Sequence, residues 1–122
     1  MIQYAFEQFQ SGKTAYFSSG TQMWNYLHAS DAGKMFYLMG EKCIQNKVYN
    51  VAHCESRLLK MYIADLKAIL GEGFQYHLMP DNGKEKVQLN PDISETIRDL
   101  EYFPQISFKE GIKMLKSIDY GQ

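Results

Sequence analysis

At 122 residues the chain can bury one core of ordinary size, and 45% hydrophobic with 22% charged residues argues against disorder. A formal net charge of -1 offers nothing for nucleic acid, and no apolar run is long enough to span a bilayer. The N-terminus carries no charged stretch leading into an apolar signal core, so a cytoplasmic single domain over residues 1–122, without membrane contact, is the expectation.

In chain order, Ile2, Ala5, Phe6 and Phe9 fall on one helical stripe, stopped by Ser11-Gly12. Thr14 to Phe17 reads as a short strand with a turn at Ser18-Ser19-Gly20. Met23 to Ala29 is a second extended stretch. Ser30 or Asp31 can cap the following helix, whose inward face is expected to carry Ala32, Met35, Phe36 and Met39. Val48 to Ala52 is β-branched and aromatic and reads as a strand. Ser56 then caps a helix in which Leu59, Tyr62, Ile63, Leu66, Ile69 and Leu70 repeat at helical spacing, with Gly71 as its stop. Gln75 to Met79 is a strand ending at Pro80. Asp92 with Glu95, and Ser107 with Glu110, are spaced as capping boxes opening two last helices. Helices and strands are mixed, so the fold class is α+β.

Several constellations fail on spacing. Ser11-Gly12-Lys13-Thr14 has the ending of a phosphate-binding loop, but Glu7 stands where that loop needs Gly. His28, His53, Cys54 and His77 lack zinc-site spacing, so no metal is expected. Cys43 and Cys54 are too few for a disulfide framework and read as free thiols. Lys109, Lys113 and Lys116 read as a solvated helix face. Aromatic residues reach 14%, which fits either a core with a subunit interface or stacking on a sugar or base.

Three blocks carry a likeness. The first is Gly20-Thr21-Gln22-Met23-Trp24-Asn25-Tyr26-Leu27-His28-Ala29-Ser30-Asp31. The second is Val48-Tyr49-Asn50-Val51-Ala52. The third joins Asp92-Ile93-Ser94, Leu100-Glu101-Tyr102-Phe103-Pro104 and Ile106-Ser107-Phe108-Lys109-Glu110-Gly111-Ile112. Together they resemble the C-terminal, substrate-side part of the NAD-dependent epimerase/dehydratases, the extended short-chain dehydrogenase/reductases that remodel nucleotide-sugars.

The resemblance implies a nucleotide-sugar ligand and NAD(P) for the full-length family. It implies substrate contacts at Gln22, Trp24, Asn25 and Tyr26. The family's first-block Arg, which pairs with the diphosphate, is Trp24 here. A second family Arg corresponds to Asn82, and nearby Lys84 is the candidate to replace it as a point charge. Asp31, Asp92 and Ser94 also match, and helix capping is the expected role of all three. Gly111 is expected to permit close helix packing.

The sequence has no Gly-rich turn for a cofactor pyrophosphate, and no Tyr is followed four residues later by Lys. The expectation is therefore a substrate-side portion lacking the Gly-rich Rossmann domain, with no catalytic residues and no cofactor bound by this chain alone. The Val48–Ala52 strand would then be an unpaired edge that invites another chain. The alternatives are a non-catalytic nucleotide-sugar-binding or partner subunit, and a self-associating structural protein without a ligand. A homo-oligomer and a separate N-terminal Rossmann half are the partners expected.

Overall fold

The computed structural model describes residues 1–119. Helix α1 spans Ile2–Gln10, strand β1 Ala15–Phe17, β2 Met23–Trp24 and α2 Ala29–Glu41. Strand β3 is Arg57–Leu58 and runs directly into α3, Leu59–Leu70, followed by a 3-10 turn at Gly71–Gly73. Strand β4 is Tyr76–Leu78, α4 is Ser94–Leu100 and α5 is Phe108–Asp119. The class is α+β, as expected. β1 pairs with β4 in parallel, Ala15 opposite Tyr76, while β2 pairs antiparallel with β3, Trp24 opposite Arg57.

The core forms where α3 packs on α1, β1 and α5. Ala5, Phe6, Ile63, Leu66, Phe74 and Ile112 are buried together there. Burying a side chain such as Phe74, 0% exposed, contributes about 2–3 kcal/mol. The apolar spacing of α1 and α3 therefore predicts their inward faces correctly. Gly71 ends α3 at φ +81°, a left-handed conformation that glycine adopts without strain.

The N-terminus of α3 is capped differently from expectation. Its first donors, the N–H groups of Leu59 and Lys60, reach the carbonyls of Gln22 and Gly20, each at 2.9 Å. Backbone from a distant turn thus replaces a side-chain cap, and Ser56 instead accepts from Asn25 Nδ2 at 3.0 Å. Gly20 has φ +68°, and a Cβ there would come within 2.8 Å of Lys60 Cβ, so this close approach needs glycine. At the other end, Lys116 Nζ donates to the Ile69 carbonyl at 3.1 Å. That lysine is a C-terminal cap of α3 rather than part of a solvated face.

Further expectations need correcting. Only Met23 and Trp24 of the Met23–Ala29 stretch are paired, because β3 is two residues long. Helix α2 is capped by neither Ser30 nor Asp31. His28 is the N-cap, its Nδ1 accepting from Ser30 N at 3.1 Å. Asp31 points the other way, 2% exposed, and accepts from Tyr102 Oη at 2.6 Å, Gln105 N at 2.9 Å and Ile106 N at 3.0 Å. It pins the turn before α5 onto α2. On α2 itself Met35 is buried while Phe36 is 61% exposed.

Val48–Ala52 forms no strand. The segment is laid along α4: Asn50 Nδ2 donates to the Asp92 carbonyl at 3.1 Å, and Thr96 Oγ1 donates to the Asn50 carbonyl at 2.8 Å. Lys47 and Tyr49 both reach Asp99. A strand needs a partner with free backbone groups, and the described residues provide none beside it. Asp92 does not build a capping box with Glu95. It accepts from Ser94 N at 2.9 Å, while Glu95 pairs with Lys47 at 2.8 Å. Ser107 does cap the first turn of α5, accepting from Glu110 N at 3.2 Å. Gly111 lets that helix approach His28, whose Cδ2 would lie 3.1 Å from an added Cβ.

Candidate functional site

The residues expected to touch substrate begin at the short strand β2. Asn25 follows it and is 9% exposed. Its side-chain amide is fully engaged: Nδ2 donates to the His53 carbonyl at 2.9 Å and to Ser56 Oγ, and Oδ1 accepts from His53 N at 2.8 Å. An isolated loop of this kind would leave buried backbone groups unpaired. Asn25 satisfies both signs at once and so locks residues 53–56 against β2.

Trp24 lies half-buried opposite Arg57, and its carbonyl accepts from Tyr62 Oη at 3.2 Å. Gln22 is half-buried, and its Oε1 is buried with no hydrogen-bond partner. The free side of β2 is covered by the segment following β4: Leu89 N donates to the Met23 carbonyl at 2.9 Å, and Gln88 Oε1 accepts from Met23 N at 2.8 Å. The loop carrying Lys84 is thereby anchored to the strand carrying Trp24. Lys84 is exposed, and its ammonium makes no ion pair among the described residues, whereas Lys86 is held by Asp81 at 2.8 Å. The Lys84 backbone N–H closes a turn onto Asn82 Oδ1 at 2.9 Å.

Tyr26 turns into the body of the protein. Its ring meets Tyr62 edge-on at 5.0 Å and Phe108 at 5.2 Å. Burial, then the neighbouring Tyr62, pushes its hydroxyl up to about 12, so it stays protonated at neutral pH. Tyr26 separates two clefts, and Gln22, Trp24, Asn25 and Lys84 line neither. One cleft, about 250 Å³, is apolar, with Ile2, Leu27, Ile106, Ile112 and Leu115 in its wall. The other, about 140 Å³, lies between β3, α3 and the first turn of α5. There Arg57 Nη2 meets Asp65 Oδ2 at 2.6 Å, with the guanidinium 4.5 Å above the Tyr62 ring centre. Lys109 stands at the rim, 3.8 Å from Asp65 Oδ1.

Sequence reasoning passes over Arg57 and Asp65 and gives Phe108 and Lys109 no role in a site. They come from three separate elements, and only the packing of α3 on α5 unites them. The charge balance of the stretch holding Arg57 and Asp65 was the sole available signal.

NAD binding needs a helix N-terminus facing the end of a parallel strand. Here β1 leads into β2, and β4 leads into the Pro80 loop. No helix starts directly at the end of either parallel strand among the described residues, so these residues do not form a Rossmann-type pyrophosphate site for the cofactor. No three His, Cys, Asp or Glu side chains gather into a metal-holding group among the described residues. No described helix is long and apolar enough to cross a membrane.

No family model and no curated protein matches this sequence. Solved structures do match in fold. The structure of RMD from Pseudomonas aeruginosa complexed with NADPH superposes with a TM-score of 0.77 at 13% identity, over 94% of this chain and 40% of that one. UDP-glucuronic acid 4-epimerase from Bacillus cereus, in complex with UDP-glucuronic acid and NAD, gives 0.73 at 23% identity, over 90% and 36%. The Helicobacter pylori ADP-L-glycero-D-manno-heptose-6-epimerase gives 0.75 at 23% identity, over 97% and 36%. The fold is thus that of a C-terminal part of the extended short-chain dehydrogenase/reductases, and this chain spans well under half the length of the structures it matches.

Proposed function

We propose that these residues form the substrate-side portion of a nucleotide-sugar epimerase or dehydratase. Trp24 and Gln22 would meet the ligand and Lys84 the diphosphate, while Tyr26, packed on Tyr62 and Phe108, would support them from within. Asn25 would act by positioning, since its amide is engaged within the protein. The observation that carries the reading is the shared fold over nine-tenths or more of the chain with enzymes named for nucleotide-sugar substrates. The anchoring of the Lys84 loop onto β2 supports it, because an aromatic ring and a free ammonium then flank one strand.

The hydride chemistry of such an enzyme belongs to a cofactor-binding half, wherever in the polypeptide or the assembly that half resides. The described residues contribute neither a pyrophosphate-binding turn nor a Tyr/Lys pair at the family spacing. Trp24 fluorescence titrated with UDP-, CDP-, GDP- and dTDP-sugars tests the reading. A saturable change with one nucleotide, weakened by Lys84→Ala, is expected. A flat response across the panel overturns it.

A second reading, self-association without ligand, is favoured by one feature. Val48 is 92% exposed on the 47–52 segment, and Phe36 and Tyr37 are exposed on α2, at 61% and 60%. Light scattering on the purified chain separates the two. A monomer that responds to a nucleotide-sugar supports the first reading, and an unresponsive oligomer the second.

A further inference from the structure

We propose that the cleft between β3, α3 and the first turn of α5 binds a single uncharged polyhydroxylated ring the size of a pyranose. The inference does not depend on the nucleotide-sugar reading, because of the five residues assigned there only Tyr26 lines this cleft. Its size sets the first limit. A volume of about 140 Å³ is close to that of a cavity that accepts one six-membered ring.

The wall sets the second. Tyr62 and Phe108 meet at 4.8 Å between ring centres and Tyr26 packs on both, giving a rigid apolar face for the C–H side of a ring. The rim sets the third. His53 Nδ1 is used, accepting from Glu55 N at 3.1 Å, so Nε2 is left to donate. The Tyr26 hydroxyl makes no hydrogen bond among the described residues, and Lys109 reaches Asp65 at only 3.8 Å, outside hydrogen-bond range. With Arg57 Nε, buried and without a hydrogen-bond partner among the described residues, these are four unspent donors.

The acceptors are equally open. The Glu55 carboxylate makes no hydrogen bond or ion pair among the described residues, and Asp65 Oδ1 keeps its lone pairs because Arg57 binds the other oxygen. Two cations, Arg57 and Lys109, balance two carboxylates, Glu55 and Asp65. An anion would meet both carboxylates, an ammonium would meet Lys109, and a bare apolar ring would strand every rim group unpaired. A ring with hydroxyls around its edge, each able to donate and accept, answers the whole set.

The test is an amide-resolved NMR titration of the intact chain with methyl glucoside and galactose. Glycerol serves as the non-ring polyol, glucuronate as the charged ring and uridine monophosphate as the sugar-free nucleotide. Saturable shifts at His53, Glu55, Phe108 and Lys109 with the neutral sugars are expected, with millimolar affinity. Glu55→Ala and Lys109→Ala leave the Arg57–Asp65 pair in place, and each should weaken binding about fivefold, the loss of one hydrogen bond. Equal shifts with glycerol, tighter binding of glucuronate, or indifference to both rim variants overturns the proposal. Trp24 responding to uridine monophosphate while the cleft amides ignore the sugars would also overturn it, leaving the nucleotide-sugar reading intact.

Discussion

Asp31 and Asp99 each collect three donors, in opposite surroundings. Asp31 is buried and takes one hydroxyl and two backbone N–H groups, all neutral. Asp99 lies at the surface and takes Lys47 at 2.5 Å, Tyr49 Oη at 2.6 Å and Arg98 Nε at 2.9 Å. Both carboxyls are held below their ordinary range. For Asp31, burial pushes upward and the three hydrogen bonds overcome it. For Asp99, the Lys47 and Tyr49 bonds lead. The difference teaches where a carboxylate stabilises: removed from water, its donors have no alternative partner, while at the surface water and salt replace them.

The comparison breaks first at Asp31. Asp31→Ala strands two backbone N–H groups and should cost about 3 kcal/mol in chemical denaturation, releasing the turn before α5. Gly20→Ala tests the other buried anchor. The left-handed φ and the contact with Lys60 backbone should together cost about 2 kcal/mol or more.

Acid and alkali sharpen the same contrast. Asp31's folded value lies below its unfolded 3.8, so its contribution is present above that pH and lost as pH falls below it. Tyr102 lies at the other extreme. Its hydrogen bond to Asp31, then burial, push it up to about 12 from 10.0, so its contribution is complete below pH 10.0 and lost as pH rises toward 12. Tyr102→Phe should cost about 1 kcal/mol at neutral pH and flatten the alkaline limb of a stability–pH profile, while the acid limb shrinks but persists, since the N–H groups of Gln105 and Ile106 still hold Asp31 down. An unchanged alkaline limb would show that the Tyr102–Asp31 bond is not what titrates.

The smallest effect is expected at Asp99. Asp99→Asn should loosen the 47–50 segment, read as faster amide exchange at Lys47 and Tyr49, with little change in global stability. Added salt should mimic the substitution. A salt-insensitive loss as large as that at Asp31 would erase the distinction between the two anchors.

What was legible in the sequence was local. The stripes of α1 and α3, the strands around Ala15 and Tyr76, the stop at Gly71 and the Ser107 cap all follow from nearest-neighbour chemistry along one element. The likeness of the three blocks pointed to the fold, since their order and spacing survive where individual residues such as Trp24 depart from the family pattern.

Tertiary structure decided whatever depended on a distant partner. Asp31 and Ser56 have the side chains of caps, but a short polar side chain accepts from whichever donors packing brings nearest. Here those are the turn at residues 102–106 for Asp31 and the Asn25 amide for Ser56. Val48–Ala52 has strand composition without a strand, because a ladder requires backbone groups on a second segment and composition supplies only one side. The polar cleft shows the same limit. Arg57, Asp65, Phe108 and Lys109 lie on three elements whose meeting is set by the burial of α3 against α5, and no spacing along the chain encodes it.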